Sequence, residues 1–475
     1  MLFNSLVFLI FGLTFFILLP SINKQKNNVR WSFFTLASFV FYGWWDWRFL
    51  FLIIGSGLID FFAGKLIVRF PKKRAALLIV SLMGNLGSLA AFKYSVFISE
   101  NIQFLLGLIG IEVNLQNHIP EFMYILPVGI SFYTFQSMSY TIDIYRGRLK
   151  PTNNILQFFT YLAMFPQLVA GPIVRAKDLL PQLKRVRKIS KEESWNGFHL
   201  ILIGYFKKVV LADNIAPLVN YAFSDVNTST STLYWWVVMI GFAFQIYFDF
   251  SGYSDIARGI AKWMGLHFRI NFNHPYISTS LREFWTRWHI SLSTWFRDYV
   301  YIPLGGSRKG KFRGHINMWI TMIVSGFWHG ASWTFIIWGA LHALYLSAER
   351  VLRLDSFFKK FPLGKWLALL LVMFQVLIAW VFFRADTFEQ AFAIIKNMII
   401  VNTSLDFGHV IFFNLALVYI IAGIIIELFY FLNLSRIRIF RRETKSKLQV
   451  LQIIILIIAI IFLRGPGEQF IYFQF

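Results

Sequence analysis

The chain alternates apolar runs with short polar breaks from one end to the other. A helix needs roughly 20 mostly apolar residues to cross a hydrocarbon core, and about eleven to thirteen runs approach that length. The first, LFNSLVFLIFGLTFFILLP, has no basic stretch before it and no small-residue cleavage site after it. It is therefore expected to be a retained helix rather than a signal peptide, with no soluble domain ahead of it. Further helices are predicted around FYGWWDWRFL as an out-and-back pair, over 75–93, over 198–220 and 232–250, and then over 316–328, 331–349, 366–383, a shorter 388–401, 410–433 and 448–463. The run 152–172 contains Pro166, Gly171 and Pro172, so it is expected to break before it crosses.

Between Ser251 and Arg313 the pattern changes. No run there is long and apolar enough to span, and charges interleave with dense aromatics. Such a segment is either a soluble insertion or a re-entrant, interfacial layer, and its Trp and Tyr content favours the interface. One helix is predicted inside it. Ser280 and Glu283 form a capping box, and Leu281, Phe284, Trp285, Trp288, Leu292, Trp295, Phe296 and Tyr299 follow at helical spacing. His289 falls on that apolar stripe, in line with Phe296, whereas Arg282, Arg287, Arg297 and Asp298 fall on the opposite face.

Composition agrees with the patterning: 57% of residues are hydrophobic and only 15% are charged. The expected fold is an all-α polytopic membrane protein. No internal repeat, low-complexity stretch or linker divides the chain, which predicts a single membrane domain over 1–475 with its catalytic core at about 120–350. The formal charge of +23 would suggest a nucleic-acid partner if read alone. Its distribution argues against one, because Lys and Arg gather in the breaks NKQKNNVR, VRFPKKRA, RGRLK, LKRVRKISK, SRKGKFR, RVLRLDSFFKK and SRIRIFRRETKSK. That is the positive-inside pattern. It places these loops in the cytoplasm, facing anionic lipid, and both termini outside. Cysteine is absent, which excludes thiol nucleophiles, disulfides and thiolate metal sites.

Ionisable groups inside apolar segments are costly and mark candidate sites. His329 lies in SGFWHGASW among small residues that allow close approach, with no charged group within a helical turn. Its neutral form should prevail, and that is the form a general base requires. The alternative is a structural histidine hydrogen-bonded between helices. His289 shares its stripe with three aromatics, the alternative being an interfacial histidine that snorkels. His342 is expected to orient or hydrogen-bond, and His199 sits at a helix start beside a basic loop. Asp249 and Asp255 in QIYFDFSGYSD could bind a cation, but no third acidic ligand follows, so capping or pairing with Arg258 or Lys262 is the favoured reading. Asn273, before His274 and Pro275, reads first as turn chemistry. No metal site is expected, since neither HExxH nor any histidine pair at i, i+4 occurs. Walker A and GxSxG motifs are also absent, which removes nucleotide hydrolysis and serine-hydrolase chemistry. Acyl transfer to a hydroxyl suits a buried histidine base, because exclusion of water protects an activated acyl group.

The succession QIYFDFSGYSDIARGIAKWMG, NFNHPYISTSLREFWTRWHISLSTWFRDYVYIPLGGSRKG and SGFWHGASWTFIIWGALH resembles the membrane-bound O-acyltransferase family. FYGWWDWRFL, ILPVGISFYTFQSMSYTIDIYRG, FPQLVAGPIVR, WVFFRADTFEQA and the terminal FIYFQF are similar to its bacterial branch of alginate O-acetylation, peptidoglycan O-acetylation and teichoic acid D-alanylation. The resemblance implies tilted helices around a thinned layer with interfacial helices and a central tunnel. It carries the family's histidine onto His329 and the second family position onto His289. Trp285, Trp288, Arg287, Asn273, Trp328, Ser325, Asp249 and Asp255 then become candidates for contact with donor or substrate. No bound cofactor is implied; the donor, acetyl-coenzyme A or another activated acetyl, is a substrate. An extracytoplasmic acetyltransferase partner and a bacterial inner-membrane location are further implications. A transporter is the competing class, although transporters often show paired interrupted repeats that this chain lacks.

Overall fold

The computed structural model describes residues 1–169, 171–432 and 447–471. The described residues form helices and turns with no strand. Six helical stretches have the length and apolarity to cross a membrane: Asn27–Arg69, Pro71–Gly107, Thr232–Trp263, Trp333–Leu352, Gly364–Arg384 and Val410–Phe431. Leu6–Ile22 and Val450–Phe462 are shorter apolar helices. The protein is a multi-pass, all-α membrane protein. Fewer long helices appear than apolar runs because several runs are divided. Lys191–Tyr205 and Asp213–Ser224, for example, are separated by a wide π-helical turn at Phe206–Ala212. The basic stretch SRIRIFRRETKSK lies outside the described residues apart from the backbone of its last lysine, and so do the last four residues of FIYFQF.

Two compact units divide the chain: Met1–Phe198 with Ile256–Arg269, and His199–Asp255 with Ile270–Phe475. In the first unit the helix Ile130–Tyr145 is buried on nearly every side. It carries hydroxyls rather than a purely apolar surface, and one of them, Ser137, helps satisfy a buried carboxylate. Asp60 accepts from Ser81, from Ser137 and from Asn85 Nδ2 at 2.7 Å, which ties three helices together. The run at 152–172 breaks as its prolines require: Ile155–Ala163 ends at Met164, and Phe165–Leu168 forms a separate turn with Pro166 in its first positions.

The second unit holds a large buried cluster that includes Trp235, Trp288, Trp338 and Trp380. One sequence boundary is corrected here. The helix expected to end near Phe250 continues as a single rod, Thr232–Trp263. Its small residues permit close packing: a Cβ at Gly252 would lie 2.7 Å from the Gly204 carbonyl oxygen. The later helices, Lys311–His329, Trp333–Leu352, Gly364–Arg384, Phe388–Ile399, Val410–Phe431 and Lys447–Phe462, fall within a few residues of the predicted runs.

Candidate active site

The capping box forms as expected: Ser280 Oγ accepts from the Glu283 amide at 3.1 Å, and Glu283 reaches back to the Thr279 amide at 2.9 Å. The single helix predicted beyond it does not form. It divides into Leu281–Arg287 and Ile290–Phe296, followed by a π-helical turn at Arg297–Tyr301. The break falls at His289, whose φ of 41° is left-handed. A non-glycine residue there costs about 1–2 kcal/mol, so the surroundings must hold it. They do so through the preceding NFNHP segment, which supplies partners for backbone groups freed by the break. Asn273 N donates to the Arg287 carbonyl at 2.9 Å, Ile290 N donates to the Asn271 carbonyl at 2.9 Å, and Ser291 N donates to Asn271 Oδ1 at 3.1 Å.

The His289 side chain is fully buried. Its ring meets Phe250 edge-on at 4.7 Å, with Phe272 at 6.1 Å and Trp328 at 6.4 Å. It lies outside the six long apolar helices, and burial pushes its imidazole down to about 3, so the ring is neutral at ordinary pH.

His329 is the last residue of the regular helix Lys311–His329 and is 4% exposed. This helix packs on Trp333–Leu352 through facing glycines. A Cβ at Gly326 would sit 2.2 Å from the Phe335 carbonyl oxygen, and one at Gly339 2.4 Å from that of Met322. Close approach of the two backbones fixes where the helix ends, and hence where His329 stands. Trp328, Trp338 and Phe383 surround its ring with centroids at 5.0, 5.1 and 5.2 Å. Trp328 thus stands beside both histidines. His342, also fully buried, packs against Trp338 at 4.9 Å and Trp285 at 5.1 Å and continues the aromatic layer.

A cavity of about 680 Å³ opens against this layer. Its buried wall includes Leu292, Phe296, Thr321 and Ser325. Ser325 lies four residues before His329, roughly one helical turn. The exposed rim carries Arg282, Arg297, Arg350, Arg353 and Lys359. Glu349, also on the rim, accepts from the Leu281 amide at 2.6 Å and so joins the helix Trp333–Leu352 to the broken pair. The arrangement is a cationic mouth leading to an apolar interior; neither His289 nor His329 lines it, but each lies about one helical turn from a residue that does, Leu292 and Ser325. Such a space can bind an anionic carrier by its phosphates and exclude water from its acyl end.

The remaining sequence candidates divide by position. Trp285 and Ser325 line the cavity, and Trp328 separates the histidines. Trp288 is buried against Phe272 and Trp380 at 5.0 and 5.1 Å. Arg287 pairs with Glu283 at 2.9 Å and donates to the Asn273 carbonyl at 3.0 Å, so both Arg287 and Asn273 support the break. Asp255 pairs with Lys207 and Asp249 with Lys208, each at 2.8 Å, two partners that the sequence did not suggest. Sequence reasoning did not single out the five rim cations as a group. It assigned Arg282 and Arg297 to a polar face and read RVLRLDSFFKK as a cytoplasmic loop facing anionic lipid.

The sequence profile of the membrane-bound O-acyltransferase family matches residues 148–387. The chain is 41% identical over 396 residues to the probable alginate O-acetylase AlgI of Pseudomonas putida, covering 82% of this chain and 79% of that protein. It is 36% identical over 395 residues to the peptidoglycan O-acetyltransferase of Helicobacter pylori, covering 77% and 73%. It is 29% identical over 272 residues to the teichoic acid D-alanyltransferase of Bacillus subtilis, covering 54% and 68%.

Proposed function

The chain belongs to the membrane-bound O-acyltransferase family, and from that premise we propose that this O-acyltransferase moves an acetyl group from a cytoplasmic coenzyme A thioester toward the hydroxyls of a secreted or cell-wall polysaccharide. The observation that carries the reading is the meeting of His289 and His329 at Trp328, one turn from a cavity with a cationic rim. The rim guanidiniums and ammonium would hold the donor's phosphates at the cytoplasmic mouth, and the apolar interior would receive its thioester end. His329, shielded from water, takes the proton from the acceptor hydroxyl. The oxygen then attacks the thioester carbonyl while His289 donates to the developing oxyanion. Collapse breaks the carbon–sulfur bond, and the thiolate leaving group recovers the proton from the His329 imidazolium.

Relatives named for O-acetylation match at 36–41% identity over about three quarters or more of the chain, against 29% over about half for a D-alanyltransferase, which favours acetyl. An acceptor polymer outside the membrane calls for an extracytoplasmic acetyltransferase partner, and the positive-inside loops fit the bacterial inner membrane. Purified protein in vesicles, given radiolabelled acetyl-coenzyme A inside and a polysaccharide with the partner outside, should release coenzyme A and label the polymer. Export of unmodified glycan or proton movement without loss of the thioester would instead establish a transporter. Transfer of D-alanine from a thioester carrier, with acetyl-coenzyme A inert, would establish the other acyl group.

A further inference from the structure

The catalytic reading does not use the buried cation Lys208. It lies in the π-helical turn Phe206–Ala212 and binds two carboxylates, Asp213 Oδ1 and Asp249 Oδ1, each at 2.8 Å. All three residues are buried. Desolvating two carboxylates and an ammonium is expensive, and a neutral, well-packed replacement often serves stability as well. What sets this cluster apart is a further polar partner, the segment Leu463–Ile471. Lys208 Nζ also donates to the Glu468 carbonyl at 3.0 Å, and Ile471 N donates to Asp249 Oδ2 at 2.7 Å. Two more bonds hold the same segment: Asn214 Nδ2 to the Leu463 carbonyl at 2.9 Å, and Gly465 N to the Val209 carbonyl at 2.8 Å. Gly465 lies so close that a Cβ would sit 2.6 Å from the Asp213 carbonyl carbon. This strap crosses more than 200 positions of sequence to reach the triad.

The strap ends against the site. Phe470 and Ile471 are 3% and 1% exposed. The Phe470 ring packs on Tyr253 at 5.0 Å and on Phe250 at 5.8 Å, and Phe250 in turn meets His289 edge-on at 4.7 Å. His289 occupies a left-handed break whose backbone partners fix its Cα, and its ring packs on Phe250 and Phe272. A continuous line therefore runs from Lys208 through the strap to Phe470, Phe250 and His289. We infer that the strap Leu463–Ile471, latched by the Lys208–Asp213–Asp249 triad, is a positioning element that sets the ring of His289 for acyl transfer. Phe470 is its contact with the site, and Lys208 is its anchor.

This inference rests on the proposed role of His289, so its test includes a readout that does not depend on acyl transfer. Gly465→Val should push the strap off the Asp213 backbone that it packs against, Phe470→Ala should remove the contact with the site alone, and Phe470→Leu should largely restore it. Lys208→Met strands two buried carboxylates and is the variant most prone to misfold, so the other three carry the decision. In the full chain in membranes, Gly465→Val and Phe470→Ala are expected to lower kcat about tenfold to a hundredfold, the scale of an ångström-level misplacement. KM for acetyl-coenzyme A should stay unchanged. Diethylpyrocarbonate labelling of His289, read by mass spectrometry, should rise above wild type in both variants, with Phe470→Leu near wild type in each measurement. Unchanged labelling of His289 overturns the inference whatever happens to activity. Increased labelling with unchanged kcat retains the strap contact but removes His289 from the reaction, which refutes the catalytic reading. A loss that matches the loss of folded protein, with wild-type kcat per folded molecule, reduces the strap to a structural brace and also overturns the inference.

Discussion

His289 and His329 are both buried imidazoles beside Trp328, yet opposite backbones deliver them. His329 ends a regular helix whose position is set by glycine contacts with Trp333–Leu352. His289 sits in a left-handed break between two short helices and depends on the NFNHP segment for its backbone and on Phe250 and Phe272 for its ring. The first geometry is set by one helix and its close contact with a neighbour, which suits the proposed base. The second is assembled from several segments, which makes it adjustable and vulnerable.

Four substitution or titration experiments would break or sharpen that comparison. The largest effect is expected for His329→Ala. Transfer should fall about a thousandfold, the range of a lost general base, while circular dichroism shows the helix content retained. His289 should be less costly, at about a hundredfold, typical of one lost oxyanion donor. There the backbone adds a second signature. Both His289→Gly and His289→Ala lose the ring, but glycine tolerates a φ of 41°, so the glycine variant should unfold about 1 kcal/mol later than the alanine variant. No such difference is expected between the same pair at His329.

Neutralising Arg350 and Arg353 to Gln should leave kcat alone and raise KM for the donor about fivefold at low salt. The difference should shrink as salt screens the rim. The smallest effect concerns pH. The His289 imidazole is held near 3 by burial, below its ordinary 6.5, so it contributes no ionisation to kcat/KM between about pH 5 and 8. The folded state resists protonation that the unfolded chain accepts. This contribution therefore lowers stability as pH falls from 6.5 toward 3 and is absent above that window; His289→Asn should flatten that part of a stability-against-pH curve.

Much of this was legible in the sequence. Apolar run length predicted the membrane class and the helices from Lys311 onward, and Ser280 with Glu283 marked a real helix start. His329 was visible because one ionisable residue among Trp, Gly and Ser stands out. The break at His289 was hidden, because the apolar spacing continues across it and its cause lies in Asn271 and Asn273, which are contiguous in space but lie outside the helical pattern. The roles of Asp249 and the strap were equally hidden, since Lys208 and Ile471 are far apart in sequence. The rim cations were visible as charge, but their convergence on one cavity was not, since Arg282 and Arg297 lie far in sequence from Arg350, Arg353 and Lys359.

The central claim is that two imidazoles on unlike backbones serve one transfer step. The measurement that bears on it most directly is a kinetic double-mutant cycle on coenzyme A release by purified wild type, His289→Ala, His329→Ala and the double variant, with unfolding followed in parallel. Residues acting as a unit lose their effect together, so the double variant should be about as slow as His329→Ala alone. Losses that multiply, or a His329→Ala protein that turns over like wild type, would contradict the account.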